Sequence, residues 1–111
     1  MAFYSIEQIQ KELDVIIEGV LKTVPAVAIY LFGSYANGTS DEHSDIDIYV
    51  VVPDIDIDLV NLCGDIRMNL RNKKNMPLDL LAGKASVFNS RKQGLTLENL
   101  IVREGVLLHG Q

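Results

Sequence analysis

Apolar positions recur along the chain in two alternating periods, which indicate helices separated by strands. Across residues 6–22 the apolar side chains are three or four positions apart, as in an amphipathic helix. Ser5 and Gln8 have the spacing of a capping box, in which each side chain satisfies a free amide at a helix start. Pro25 ends this helix, and the apolar run Ala26–Phe32 predicts a strand buried on both faces.

The rest of the chain continues this alternation. The predicted segments are a turn region at 33–44 with room for one helical turn after Ser34, a strand at 45–52, a helix at 55–70, a turn at 72–75, a strand at 77–82, a short helix at 84–91, a helix capped by Thr96 and ended by Gly105, and a strand at 106–108. Helices alternating with strands predict an α/β sandwich with a mixed or mostly parallel sheet. A length of 111 residues leaves room for a single domain, residues 1–111.

The charge is unevenly distributed, and this matters more than the net value of −5. Residues 23–66 carry eight acids and no Lys or Arg, whereas residues 67–111 carry three acids and eight bases. The net charge excludes a general DNA-binding protein, which needs a clustered basic surface. Solvated faces explain such a pattern, and so does an acidic metal centre that faces a basic surface.

The sequence has one cysteine, Cys63, so it predicts no internal disulfide and no oxidising compartment. Cys63 lies in an apolar helical pattern, which favours a packed, inert thiol. The amino-terminal residues lack the basic start and apolar run of a signal peptide, and Ala26–Phe32 is too short to span a membrane. We therefore expect a cytoplasmic protein with no membrane attachment.

Gly33-Ser34 follows a buried strand at a place where backbone can approach a ligand closely. The amides of such a turn favour an anion, although the dipeptide taken alone favours an ordinary turn. Asp45 and Asp47 alternate on the next strand, so their carboxylates share one face and repel each other. A divalent ion such as Mg²⁺ or Mn²⁺ would remove that penalty. The alternative is a pair of solvated acids at the strand end.

Asp79 is the single charged residue in an otherwise apolar strand, a costly position unless the carboxylate is paired or bound to metal. If its strand lies beside the strand of Asp45 and Asp47, the three carboxylates converge into a site suited to displacement at phosphorus. An edge-strand acid or an ion pair is the alternative for Asp79. His43, in the loop before the acids, is expected to be a solvated residue.

Two other charged groups have simpler explanations. Asp54, Asp56 and Asp58 alternate as in a calcium-binding loop, but Leu59 occupies the position that needs glycine, which favours an acidic helix start. Their counterpart is a basic set at the end of the same helix, which is either a solvated face or a surface that docks a partner. Its members are Arg67, Arg71 and Lys74.

Together these residues resemble a known family. The string from Gly33 and Ser34 through Asp45 and Asp47, followed by a single strand acid at Asp79, is similar to the nucleotidyltransferases of the DNA polymerase β superfamily. The fuller motif at 33–48 and the closing segment at 103–108 resemble its minimal nucleotidyltransferase (MNT) branch. The resemblance covers nearly the whole chain and implies a mixed sheet of about four strands flanked by helices.

The resemblance also implies roles for the matching positions. Gly33 and Ser34 would hold the triphosphate of ATP or another nucleoside triphosphate, and Asp45 and Asp47 would bind Mg²⁺ or Mn²⁺. Asp79 would share the catalytic metal or take the proton from an attacking hydroxyl. The reaction would transfer a nucleoside monophosphate, AMP above all, and release pyrophosphate. Asn37 departs from the Arg that is common in the family, which removes a phosphate contact.

Larger relatives add a helical domain that holds the acceptor, so the acceptor surface is expected to come from a second copy or another protein. MNT proteins are often encoded beside a helical HEPN protein, as antitoxin and toxin, and this resemblance implies AMP transfer to a hydroxyl of such a partner. Two alternatives remain. One is a module that neutralises its partner by binding, with nucleotide as ligand and no catalysis. The other is a transferase acting on small molecules.

Overall fold

The computed structural model describes residues 5–41 and 43–110. Residues 1–4, most of the stretch considered for a signal peptide, lie outside this range, as do Glu42 and Gln111. The elements are a 3₁₀ turn at Glu7–Ile9, α1 at Gln10–Thr23, β1 at Ala28–Phe32, α2 at Ser34–Asn37, β2 at Ile46–Val52, α3 at Leu59–Leu70, β3 at Leu78–Lys84, α4 at Ala85–Arg91, α5 at Leu97–Glu104 and β4 at Val106–Gly110. Among these helices none is long and apolar enough to cross a membrane.

The four strands form one mixed sheet in the order β3-β2-β1-β4. β1 pairs antiparallel with both β2 and β4, and β2 pairs parallel with β3. The prediction of a mixed sheet is confirmed, whereas the alternative prediction, a mostly parallel sheet, was wrong. The reason is the connection: a parallel pair needs a crossover helix, which α3 supplies between β2 and β3, whereas the single turn of α2 is too short to carry the chain back across the sheet.

Helices cover both faces of the sheet. α1 and α3 pack together on one face, where side chains such as Ile29, Ile48 and Leu80 join their apolar stripes in the larger core. On the other face a smaller cluster forms around Tyr49 and Phe88, between the sheet and helices α4 and α5. Strand alternation therefore sends the odd-numbered residues of β2 and β3 toward α4 and α5.

Side chains close the ends of several helices as the sequence predicts. The Ser5 amide donates to the Gln8 side-chain oxygen at 2.6 Å, and the Gln8 amide donates to the Ser5 hydroxyl at 3.3 Å, so the capping box is formed. Thr96 accepts from the amide of Asn99 at the start of α5. Asp58 accepts from two amides at the start of α3, which explains part of the acidic cluster.

The acidic segment before α3 is a turn and not the first part of the helix, contrary to the predicted start at 55. The Ile55 amide donates to the Pro53 carbonyl, which folds the chain back before α3 begins at Leu59. The Asp54 carboxylate accepts from the Ser86 amide at 3.0 Å. The segment thereby ties the end of β2 to the first turn of α4.

A buried polar network fastens α5 to the sheet. The Tyr49 hydroxyl donates to Glu98 at 3.1 Å, and the Arg91 guanidinium donates to the other oxygen of Glu98 at 3.0 Å. Burial by itself would raise the pKa of Glu98. The hydrogen bonds from the backbone, Arg91 and Tyr49 outweigh this effect, so the pKa lies below its ordinary value. Burial, together with this carboxylate, raises the pKa of Tyr49. The network keeps this face of the sheet in a fixed arrangement.

Glu12 links the first helix to the segment that leads into β3. Its carboxylate is buried and accepts from the amides of Asn75 at 2.6 Å and Met76 at 2.9 Å. Hydrogen bonds to a charged acceptor are among the stronger ones in proteins. One side chain on α1 therefore sets the path of the chain just before the third strand.

We expect Glu12→Ala to lower the free energy of unfolding by about 2–4 kcal/mol, because it leaves two amides without an acceptor. Glu12→Gln keeps an acceptor oxygen and should lose less. Urea denaturation followed by circular dichroism measures both, with the exposed Glu7→Ala as the matched control. Equal stability of Glu12→Ala and Glu7→Ala would contradict this role.

Candidate active site

The turn after β1 places a glycine directly against an acidic side chain. Gly33 has φ 76° and ψ −153°, a conformation open essentially to glycine alone, and its carbonyl accepts from the amides of Ala36 and Asn37 to start α2. A Cβ at this position would collide with the carboxylate of Asp47. Gly33 is therefore required both for the turn and for the position of Asp47.

The parallel register of β2 and β3 brings two of the predicted acids side by side. Asp47 pairs directly with Asp79, and on its other side Asp47 pairs with Phe32 of β1. All three side chains lie on the sheet face that carries α4 and α5. Asp45 precedes the first residue of β2, so it lies just outside the strand in which the sequence predicted it.

The pKa of Asp47 reflects both its burial and its acidic neighbours. Burial raises the pKa of Asp47, and repulsion from Asp79, a hydrogen bond with Asp79 and repulsion from Asp45 add to this, for a value of about 6. Asp47 is half-buried, while Asp45 and Asp79 are exposed. Burial and the two acidic neighbours thus favour the protonated form of the Asp47 carboxyl group.

The carboxylates do not by themselves form a closed metal cage. Within residues 5–41 and 43–110, no group of three or more His, Cys, Asp or Glu side chains is arranged to hold a metal ion. The donor set nevertheless fits Mg²⁺, which usually binds through one or two carboxylates and completes its shell with water and substrate phosphates. Asp47 beside Asp79 provides such an open pair, so the assignment of Asp45, Asp47 and Asp79 as metal ligands stays a prediction.

The loop between α2 and β2 is braced by its own side chains. The side-chain oxygen of Asn37 accepts from the backbone amide and the hydroxyl of Thr39, and the Asp41 carboxylate accepts from the backbone amide of His43. Beneath the loop, the buried Tyr35 hydroxyl lies 3.4 Å from the carbonyl oxygens of Asp41 and Ser44. Asn37 therefore stabilises the loop at the position where the resembling family commonly has Arg.

A cavity of about 220 Å³ opens beside the Gly33 turn, between α2 and α5. Phe32, Leu97 and Leu100 give it apolar walls, and Asn37 and Glu104 add polar groups. Gly33 belongs to its lining and, in the same turn, lies against the Asp47 carboxylate. The cavity has a size and lining suited to part of an organic ligand.

Several residues that shape the site were not identified from the sequence. No sequence motif marks Phe32, which pairs with Asp47, or the contact between Tyr49 and Glu98 of α5. Only the strand register and the packing of α5 bring these residues to the site. Arg67 donates to the Leu78 carbonyl at 3.1 Å and so supports the start of β3. Burial raises the pKa of the Cys63 thiol against the opposing effect of Arg67, which disfavours a reactive thiolate.

We expect Gly33→Ala to displace the Asp47 carboxylate and to destabilise the protein more than Gly38→Ala does. Gly38 also has a positive φ, of 82°, but it lies in the left-handed helical region and a Cβ there meets nothing within 4 Å, so it is a control for a positive φ without a collision. A left-handed alanine costs about 1–2 kcal/mol. Thermal unfolding of both variants, with a crystal structure of Gly33→Ala, measures the difference. An undisturbed Asp47 in that structure would contradict the contact.

We expect Asp47→Asn to stabilise the protein at pH 7.5 when no divalent cation is added. The raised pKa of Asp47 means that its neutral form favours folding, an effect fully present below pH about 4 and lost as pH rises through about 6. After a discount for solvent screening, the gain should be about 1 kcal/mol. Urea midpoints between pH 4 and 7.5 in EDTA measure it, with the exposed Glu7→Gln as control. A gain that does not diminish toward pH 4 would exclude this cause.

Comparison with known proteins agrees with this geometry. Residues 15–111 match the family described as Polymerase beta, Nucleotidyltransferase. The chain is 33% identical over 82 residues to the Methanocaldococcus jannaschii protein named "Putative protein adenylyltransferase MJ0604", which covers 73% of this chain and 76% of that protein.

Solved structures show the same fold. A toxin–antitoxin structure named MntA-HpeT is 26% identical with a TM-score of 0.62, and the match covers 90% of this chain and 73% of the other. A chain from the structure of the tri-AMPylated Shewanella oneidensis HEPN toxin in complex with MNT antitoxin matches with a TM-score of 0.53 at 24% identity, over 92% of this chain and 72% of the other. The four-stranded mixed sheet flanked by helices is thus the nucleotidyltransferase fold, and the chain belongs to the polymerase β nucleotidyltransferase family.

Proposed function

We propose that this nucleotidyltransferase transfers AMP from ATP to a hydroxyl group of a helical HEPN-type partner protein, and so acts as the antitoxin of a toxin–antitoxin pair. The observation that carries the proposal is the pair Asp47–Asp79 set against the Gly33 turn. It joins a carboxylate pair of the kind that binds Mg²⁺ to a turn in which backbone approaches a ligand closely.

Each residue has a role in this reaction. Gly33 and Ser34 would hold the triphosphate, and Asp45 and Asp47, with Asp79, would hold Mg²⁺. When bound, Mg²⁺ would neutralise charge on the phosphates as the transition state forms. The acceptor hydroxyl forms a bond to the α-phosphorus, the bond from that phosphorus to pyrophosphate breaks, and the hydroxyl proton passes to Asp79. The exposed position of Asp79 suits a base that must meet a hydroxyl from another molecule.

The surroundings of the acids favour a substrate that arrives from outside. Asp45 and Asp79 are exposed, and the cavity beside Gly33 lies between the end of β1, α2 and α5. That cavity would take part of the nucleotide, while the acceptor approaches over Asp79. The partner kind is supported by the toxin–antitoxin neighbour at 26% identity. The Shewanella oneidensis neighbour shares the fold, and its toxin is AMPylated.

Labelled ATP tests the proposal directly. The chain is incubated with Mg²⁺, a candidate HEPN-type partner taken from a neighbouring gene, and ATP labelled at either the α- or the γ-phosphate. We expect label on the partner from α-labelled ATP alone, since adenylyl transfer keeps the α-phosphorus and releases the other two. Label from γ-labelled ATP would indicate phosphoryl transfer instead, and no label with a well-folded wild type would reject the proposal.

The double variant Asp45→Ala with Asp47→Ala should lower the transfer rate by about 10²–10³-fold or more, because it removes the groups that hold and neutralise the reacting phosphates. The matched control, Glu7→Ala with Asp65→Ala, removes two exposed acids from helical surfaces and should transfer at the wild-type rate. Unchanged labelling by the first variant would reject the metal assignment. Partner neutralisation that survives in it would favour a module that acts by binding alone.

A further inference from the structure

The outer edge of β3 has backbone groups that no neighbouring strand uses. The Ile46 amide donates to the Pro77 carbonyl, which fixes the alternation: Asp79, Leu81 and Gly83 direct their backbone groups toward β2. Leu80 and Ala82 direct theirs outward. Within residues 5–41 and 43–110 no strand pairs with that edge, since β3 ends the sheet.

Edge strands usually carry features that prevent pairing with another chain, and the two edges of this sheet differ in this respect. β4 has a register irregularity opposite Ile29 and Tyr30 and ends at Gly110 with φ 102°. β3 is paired regularly over its full length of seven residues. Its first outward carbonyl, that of Leu78, is capped by Arg67.

Apolar side chains accompany this open edge on both faces of the sheet. On one face, a groove of about 480 Å³ runs between α3 and β3, and the side chain of Val60 at its rim is 81% exposed. Met68 lies two turns further along the outer side of α3 and is 64% exposed. Gly64 lies between them, and a Cβ there would meet nothing within 4 Å. On the other face Leu81 is 42% exposed.

The charges along α3 are arranged with opposite signs at its two ends. Asp54, Asp56 and Asp58 precede its first turn, and Arg67, Arg71 and Lys74 lie in or beyond its last turn. A second groove of about 510 Å³ continues from the first along these basic residues. A helix with this polarity is complementary to an antiparallel copy of itself, because each acidic end then meets a basic end.

We propose that the chain forms a symmetric homodimer in which β3 pairs antiparallel with β3 of a second copy, so that two four-stranded sheets become one of eight strands. Centred on Leu81, this pairing sets Leu80 opposite Ala82 of the second copy, so that the outward backbone groups of both strands are satisfied. Asp79 then lies opposite a glycine, Gly83, and not opposite another acid.

The same twofold axis pairs the two α3 helices. With Gly64 at the crossing point, Val60 lies opposite Met68 of the second copy, and Arg71 lies opposite the segment 56–58. The absence of a side chain at Gly64 lets the helices approach closely. The open edge of β3, the apolar residues on α3 and the opposite charges at the two ends of α3 thus form one self-complementary surface, as a twofold interface requires.

Analytical ultracentrifugation of the full-length chain tests this dimer. We expect twice the monomer mass of 12.3 kDa for the wild type. Val60→Lys, which sets a cation opposite the basic end of the second copy, should raise the dimer Kd by about 100-fold, because it occurs twice in a symmetric interface. Ala82→Pro removes an outward amide at an edge position that tolerates proline, and should do the same. Leu107→Lys, on the opposite edge and 41% exposed, should leave the Kd unchanged.

A charge-exchange experiment tests the helix orientation. Arg71→Glu and Asp56→Arg should each form weak homodimers, because like charges then meet across the axis twice. A mixture of the two variants should form heterodimers of wild-type strength. In such a heterodimer the two introduced side chains, of opposite charge, face each other at one end of the helix pair, and the native Asp56 faces the native Arg71 at the other. No recovery on mixing would overturn the antiparallel arrangement.

Three results would overturn the dimer itself. The first is a wild type that stays monomeric at high concentration while circular dichroism shows it folded. The second is a dimer that survives Val60→Lys and Ala82→Pro but dissociates with Leu107→Lys, which would place the interface on β4. The third is a monomeric wild type whose binding to the helical partner protein is lost with Val60→Lys, which would assign this surface to that partner.

Discussion

The parallel pairing of β2 with β3 is the constraint on which the rest of this structure depends. Its register sets Asp47 directly beside Asp79, two residues that are far apart in the sequence. The pairing also forces α3 to cross one face of the sheet, where it completes the larger core with α1. The site and the core are therefore two results of one strand alignment.

Much of this arrangement can be predicted from the sequence because it rests on local patterns. The capping box of Ser5 and Gln8, the cap at Thr96 and the helical turn after Ser34 each follow from side chains a few residues apart. The alternation of Asp45 and Asp47 indicated a shared face for the same reason. The family motif then assigned a chemistry to that face, and the comparisons confirm the family.

Features that depend on distant residues could not be predicted in this way. The direction of β1 relative to β2 follows from the shortness of α2, and Asp45 stays outside the strand because pairing with β3 starts at Ile46. The contact between Glu98 and Tyr49 spans 49 positions, and no local sequence pattern near either residue predicts it. Asn37 is interpreted from the family pattern as a lost phosphate contact, and its bonds with Thr39 add a role in shaping the loop that the sequence did not indicate.

The bonds from Glu12 to the amides of Asn75 and Met76 have a consequence for how the site keeps its order. Asp79 belongs to a strand with one neighbour in the described chain, and terminal strands of a sheet are the first to open in local fluctuations. Glu12 restrains the chain just before Asp79, from a helix on the opposite face of the sheet. The lifetime of the Asp47–Asp79 arrangement is thus tied to the docking of the first helix, so loosening of α1 would disturb Asp79 before the sheet as a whole unfolds.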